Sequence, residues 1–328
     1  AFIGYEWTAL FNLHRVVIFK DDAEKVGQVL PFSAHPANTN ADPEKLWAYM
    51  QAYQDLTGGY VLAIPHNGNM SAGVMFALED AKGNPFSYDY AATRNRWEPL
   101  YEVTQVKGDG ETHPLLSPDD EFADFEKITV GPGNTKLPNR EAGYTDYQNW
   151  FDKRLVQEPN DDWMRPYEFA RSALKLGLGQ QDTLGVNPFK FGMIGSTDTH
   201  TGLSTADENN FWGKYARGVP DQARIMSAWD LKIPKEESGP LADYGWKQNA
   251  AGYAAVWSEE NTRESLFAAM KRKEVYASTG PRITVRFFAG WDYQDEDALR
   301  ADLARIGYQK GVPMGGDLTR GEKDAAPR

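Results

Sequence analysis

The chain has 328 residues, 47 of them acidic and 35 basic, for a net charge of −12; 41% are hydrophobic and 13% aromatic. That apolar content supports a substantial core and excludes global disorder, and the acidic balance disfavours duplex nucleic acid and anionic membrane as general partners. With no cysteine, disulfides, thiolate metal sites and cysteine nucleophiles are excluded, so any metal must be held by His, Asp and Glu, which suits Zn, Mn or Fe.

The chain opens on Ala1-Phe2-Ile3-Gly4-Tyr5, which reads as the interior of a strand running into Glu6. Native sequence, with room for a signal peptide, is therefore expected upstream. His14 stands just before the strand-like Val16-Val17-Ile18-Phe19. Asp42-Pro43-Glu44 starts a helix whose stripe is Leu46, Trp47, Met50 and Tyr53, and Gly58-Gly59 ends it. A strand from Tyr60 to Ile64 leads through Pro65 into His66, and Leu100-Tyr101 leads into Glu102. A second helix is expected over 166–176, stopped by Gly177. A strand from Phe191 to Ile194 then leads through Gly195-Ser196-Thr197 into Asp198 and His200.

Residues 201–253 are rich in Gly, Pro, Trp and charge with weak periodicity, and read as an insertion over one face, of the kind that forms lids. A third helix is expected over 261–272 with Leu266, Phe267 and Met270 inward. Ile283 to Phe288 reads as a further strand, and the polar tail from Gly315 is expected to end in disorder. No apolar run approaches the roughly 20 residues that span a membrane. Alternation of strand and helix favours an α/β fold with a largely parallel sheet or barrel.

The chemistry-bearing residues cluster beside these strands. Of five histidines, His14, His66 and His200 flank predicted strands, and strand ends are where α/β barrels carry their sites. Asp198 and His200, two apart after a strand, can face one cavity and offer an oxygen and a nitrogen ligand. The plain alternative is a capping Asp and an exposed His. His66 precedes Asn67-Gly68, a turn signal by itself. Glu6, among apolar neighbours, needs a counter-charge that a metal would supply. Glu102 fits either a ligand or a group that orients one. Lys107 and Arg96 are candidates to meet an anionic substrate, and His113 or His200 to protonate a leaving oxygen. His35 reads as structural or exposed.

In this order the motifs resemble the PHP (polymerase and histidinol phosphatase) superfamily, and in wording they look most like the bacterial domain of unknown function 3604 family. The resemblance rests on Gly4-Tyr5-Glu6-Trp7-Thr8, Ile64-Pro65-His66-Asn67-Gly68-Asn69, Glu111-Thr112-His113-Pro114, residues 120–126, Asn187 to Gly192, Gly195 to His200, Ala255-Val256-Trp257 and Glu260 to Glu264. It implies a distorted (β/α)₇ TIM-like barrel over residues 1–290, interrupted by the 201–253 insertion and followed by a C-terminal extension over 291–328. It also implies two to three divalent ions and phosphoester hydrolysis. Glu6 would bridge two metals, His14 and His66 would bind the second, Asp198 the first and His200 a third. The superfamily opens with His-x-His, which this chain lacks. Either that strand lies upstream of Ala1 or the chain is a variant with fewer metals.

The implied reaction is attack by a metal-activated water on a small anionic ester, a phosphate mono- or diester first, with sulfate or phosphonate esters as alternatives on the same site. From another class stand a non-catalytic carbohydrate-binding module, given ten Trp and sixteen Tyr, and an inactive fragment. Oligomeric state is not legible, and location leans only towards the extracytoplasmic side of a bacterium.

Overall fold

The computed structural model describes residues 1–9, 14–34, 42–126, 161–200, 252–319, 321 and 326–328. Its first three strands, β1 (Ile3–Trp7), β2 (Arg15–Phe19) and β3 (Val61–Pro65), form one antiparallel sheet in that order. Between β2 and β3 lie a single turn of helix, α1 (Ala23–Val26), and α2 (Pro43–Thr57). Helix α2 is the one the sequence predicts. Asp42 is its extended N-cap, Pro43 fills the first turn, and Leu46, Trp47, Met50 and Tyr53 are buried. Gly58 ends it at φ 62°, a conformation glycine adopts without steric cost.

Helix α3 (Tyr88–Trp97) begins where the Ser87 side chain accepts a hydrogen bond from the Tyr90 N–H. It leads into β4 (Leu100–Gln105), which pairs antiparallel with the short β5 (Gly108–Asp109) and parallel with β6 (Gly192–Gly195). Helix α4 (Ala170–Leu184) supplies the connection to β6. Beyond it, β7 (Tyr253–Val256) and β8 (Val275–Ser278) form an antiparallel pair around α5 (Arg263–Lys271). β9 (Phe288–Gly290) and β10 (Gly311–Pro313) form another, with α6 (Leu303–Lys310) between them. The C-terminal Arg328 exchanges both backbone hydrogen bonds with Gly290, each 2.8 Å.

The expected distorted (β/α)₇ barrel is not what forms. Among the described residues the strands make sheets of two or three, no barrel closes, and β4–β6 is the only parallel pair. Only residues 8–14 join β1 to β2, whereas a parallel crossover needs about a dozen residues or more. The continuous apolar run of β3 suggests a parallel interior strand because it is buried on both faces. Here the two faces meet two cores. Val61 and Ala63 join the larger one with Trp7, Val17, Phe19, Trp47, Phe76, Tyr101 and Phe189. Leu62 and Ile64 join the smaller with Leu100, Ile194, Phe267, Met270 and Val275.

Two further expectations are corrected. Gly177 does not stop its helix: α4 runs on to Leu184 and ends at Gly185, φ 79°. Gly177 is buried against the Asn187 side chain, where a Cβ would collide. Of the predicted strand to Phe288, only Phe288 is in β9, and Ile283, Val285 and Phe287 are exposed. Residues 201–251, most of the expected insertion, and His35 lie outside the described residues. No helix among the described residues is long and apolar enough to cross a membrane.

Candidate metal centre

Strand periodicity and register assemble the site. Side chains two apart share a face. On β1, Tyr5 and Trp7 pack with the larger core, so Glu6 stands on the opposite face. On β2 and β3 the corresponding rows are Val16, Ile18 and Leu62, Ile64, which pack with the smaller core. Continuing those rows by two residues reaches His14 and His66. The register pairs Arg15 with Pro65, which sets His14 opposite His66, and the His66 N–H donates to the His14 carbonyl at 3.3 Å. Glu6 pairs with Val16 and is therefore diagonal to His14.

The result is a carboxylate between imidazoles. Glu6 Oε1 lies 2.9 Å from His14 Nδ1 and 3.1 Å from His66 Nε2, and the two rings stand edge to face, centroids 5.6 Å apart. The three potential ligand atoms all lie within 4.8 Å of one another. In a tetrahedral site with bonds of about 2.0–2.1 Å, ligand atoms stand about 3.3 Å apart; the two Glu6–imidazole separations are close to that, and the group could hold one ion. The His66 side chain is 2% exposed, His14 17% and Glu6 29%. His66 Nδ1 faces the Ile64 carbonyl at 3.5 Å, which leaves Nε2 as the nitrogen turned towards Glu6. Hydrogen bonds from both imidazoles hold the Glu6 carboxyl well below the usual carboxylate range. Burial lowers the pKa of His14, which keeps its ring neutral, as a ligand must be.

His200 completes the ring around Glu6. Its Nδ1 lies 2.9 Å from the Asp198 carbonyl, leaving Nε2 directed at Glu6 Oε2, 3.8 Å away. Asp198 adopts φ 51° and Asn67, beside His66, φ 63°. Both loops thus turn through left-handed residues of the two types that best tolerate it. Asp198 Oδ1 lies 4.0 Å from His200 Nδ1, and its Oδ2 pairs with Lys107 Nζ at 2.8 Å.

Glu102 and Glu6 are predicted at strand ends, but both lie within strands, since β4 continues to Gln105 and β1 to Trp7. Glu102 Oε2 accepts a 2.5 Å hydrogen bond from Ser196 Oγ, and its buried Oε1 has no hydrogen-bond partner among the described residues. Sequence reasoning gave Ser196 no role; the signal was a Ser two residues before Asp198, the spacing of a side-chain-closed turn, and the Asp198 N–H does donate to Ser196 Oγ at 3.2 Å. His113 Nδ1 accepts from the Leu115 N–H, and its ring lies 5.4 Å from Phe169. Arg96 stands apart, at the far end of β4, bonded to Gln54 on α2 and stacked on Trp97.

Burial pushes the Glu102 carboxyl above its ordinary pKa, and Asp198 adds to the effect, against opposing contributions from His66 and Ser196. The folded state therefore holds this proton more tightly than the unfolded chain. The resulting penalty is absent below the ordinary carboxylate range, where both states are protonated, and is complete above the raised pKa. Glu102→Gln is thus expected to melt above wild type at neutral pH in metal-free buffer, with the difference vanishing near about pH 4. A gain independent of pH would show that the ionised carboxylate is not its source.

No curated protein and no solved structure matches this chain. The family described as a protein of unknown function (DUF3604) matches residues 1–328, and the chain belongs to that family.

Proposed function

We propose that this protein is a metal-dependent hydrolase of a small anionic ester, a phosphate ester before a sulfate or phosphonate ester, built on a divalent Zn, Mn or Fe ion held by Glu6, His14 and His66. The observation that carries this is the triad itself: two imidazole nitrogens and a carboxylate oxygen, mutually within 4.8 Å, on β1 and just beyond the adjoining ends of β2 and β3. The donor set is the N/O type that hydrolytic metal sites use, three protein ligands with a position left for water or substrate. The unpartnered Glu102 Oε1 also suits a polar, cation-lined cavity better than an apolar one. The order of the ligand residues resembles that of the PHP superfamily, whose usual reaction is phosphoester hydrolysis; the likeness lies in those residues and not in a barrel.

A bound ion supplies Lewis acidity and brings the pKa of a coordinated water to about 7. The protein supplies the rest. Glu6 offsets the ion's charge and, through Oε2, faces His200. The His200 imidazole, 40% exposed and fixed through Nδ1, is placed to give a proton to a leaving oxygen from Nε2. Two to three ions, as the resemblance implies, would draw on Asp198, His200 and Glu102 as further ligands.

The test is turnover of chromogenic phosphate monoesters, phosphate diesters and sulfate esters with Mn, Zn or Fe(II) added. Hydrolysis of a phosphate ester that a chelator abolishes, and that Glu6→Gln lowers by at least about 100-fold, is expected. Chelator-resistant turnover, or none on any ester with any of these metals, would contradict the proposal.

A further inference from the structure

We propose that Lys107 is a built-in counter-cation for the Asp198 corner of the site, and that it limits this chain to the single ion held by Glu6, His14 and His66. This rests on the metal-centre proposal above.

Lys107 is placed, not merely near. Its Nζ stands 2.8 Å from Asp198 Oδ2, with side chains 10% and 8% exposed. Both of its backbone groups are clamped by side chains: its N–H donates to Gln105 Oε1 at 2.9 Å, and its carbonyl accepts from Asn69 Nδ2 at 3.1 Å. Asn69 belongs to the loop that follows His66, so the lysine is fixed to the same frame as the triad.

The corner it neutralises is anionic and closed. Ser196 Oγ donates to Glu102 Oε2 and accepts from the Asp198 N–H, which joins the two acidic residues into one hydroxyl-bridged unit. Glu102 is 6% exposed and its Oε1 has no hydrogen-bond partner among the described residues. Buried carboxylates demand a cation. Lys107 supplies one positive charge by an ammonium that Asp198 already accepts. A divalent ion would need an Asp198 oxygen at about 2.0–2.2 Å, and would have to displace the ammonium or share its oxygen against cation–cation repulsion. Without the lysine, the corner becomes a pair of hard oxygen donors with one oxygen unused, a site for a second divalent ion.

The experiment is a calorimetric titration with Mn²⁺, with elemental analysis of the same samples, on wild type, Lys107→Met, Lys107→Arg and Lys107→Met with Asp198→Asn. One equivalent is expected for wild type and for Lys107→Arg, which keeps the charge. Two are expected for Lys107→Met, and one again for the double variant. Lys107→Gln runs in parallel, because Lys107→Met can lose stability through the unpaired Asp198; it too is expected to take a second ion, and Mn²⁺ is expected to raise the melting temperature of both neutral variants more than that of wild type. Two equivalents in wild type, or one in wild type and still one in both neutral variants, overturn the role of Lys107 and leave the triad standing. No bound ion in any of them overturns the triad as well.

Discussion

His66→Ala is expected to weaken divalent-metal binding by more than about 100-fold, beyond the 10–100-fold that loss of an outer partner of a ligand costs. His66 is the least exposed member of the triad, and its Nε2 is one of two imidazole nitrogens on Glu6 Oε1 among the described residues. Its removal leaves one nitrogen and one carboxylate, too few to dehydrate and hold the ion. Truncating a buried imidazole is expected to cost about 1–3 kcal/mol of stability, small enough for the variant to fold. His113→Ala is the control, because the His113 ring is engaged by Leu115 and Phe169 and its loss should leave affinity unchanged. Calorimetric titration of the three proteins with Zn²⁺ checks this. Equal losses in the two variants, or none in His66→Ala, would count against the triad.

Glu98→Ala is expected to be the most destabilising single change among the polar residues named here, at about 3–5 kcal/mol. Glu98 follows α3 and its carboxylate is buried among three partners. Oε1 accepts from Arg15 Nε and Trp47 Nε1, each at 3.0 Å, and Oε2 lies 3.2 Å from Arg94 Nε. The side chains of Arg15, Arg94 and Glu98 are 1%, 5% and 3% exposed. Without the carboxylate, two buried guanidiniums lose the anion they share. At about 2–4 °C per kcal/mol in domains of 150–250 residues, the melting temperature should fall on the order of 10 °C. Denaturant unfolding of the variant checks the value, and a loss below about 1 kcal/mol would mean that water reaches the arginines. Arg15 is the residue after His14, so this cluster also anchors the strand that carries one ligand.

What the sequence discloses here depends on whether the cause is local. Helix α2 was legible because its start, stripe and stop all lie within its own residues, from Asp42 to Gly58. Gly177 misled because its role is set by Asn187, a packing partner that propensity does not register. The barrel misled because β3 looks like a parallel interior strand, while its burial comes from two cores and its pairing is antiparallel. Glu6, His14 and His66 stood out as polar residues beside apolar runs, yet only the register sets His14 opposite His66. The Lys107–Asp198 pair and the Ser196–Glu102 hydrogen bond were not legible, since they join segments with no shared local pattern.

The central claim is that Glu6, His14 and His66 bind one ion together, and the most direct measurement is X-ray absorption at the zinc edge on protein loaded with one equivalent. A first shell of nitrogen and oxygen at about 2.0–2.1 Å with outer-shell scattering from at least two imidazoles, diminished in His66→Ala, is the expected result. An oxygen-only shell without imidazole scattering would place the ion on carboxylates elsewhere and contradict the triad as the metal centre.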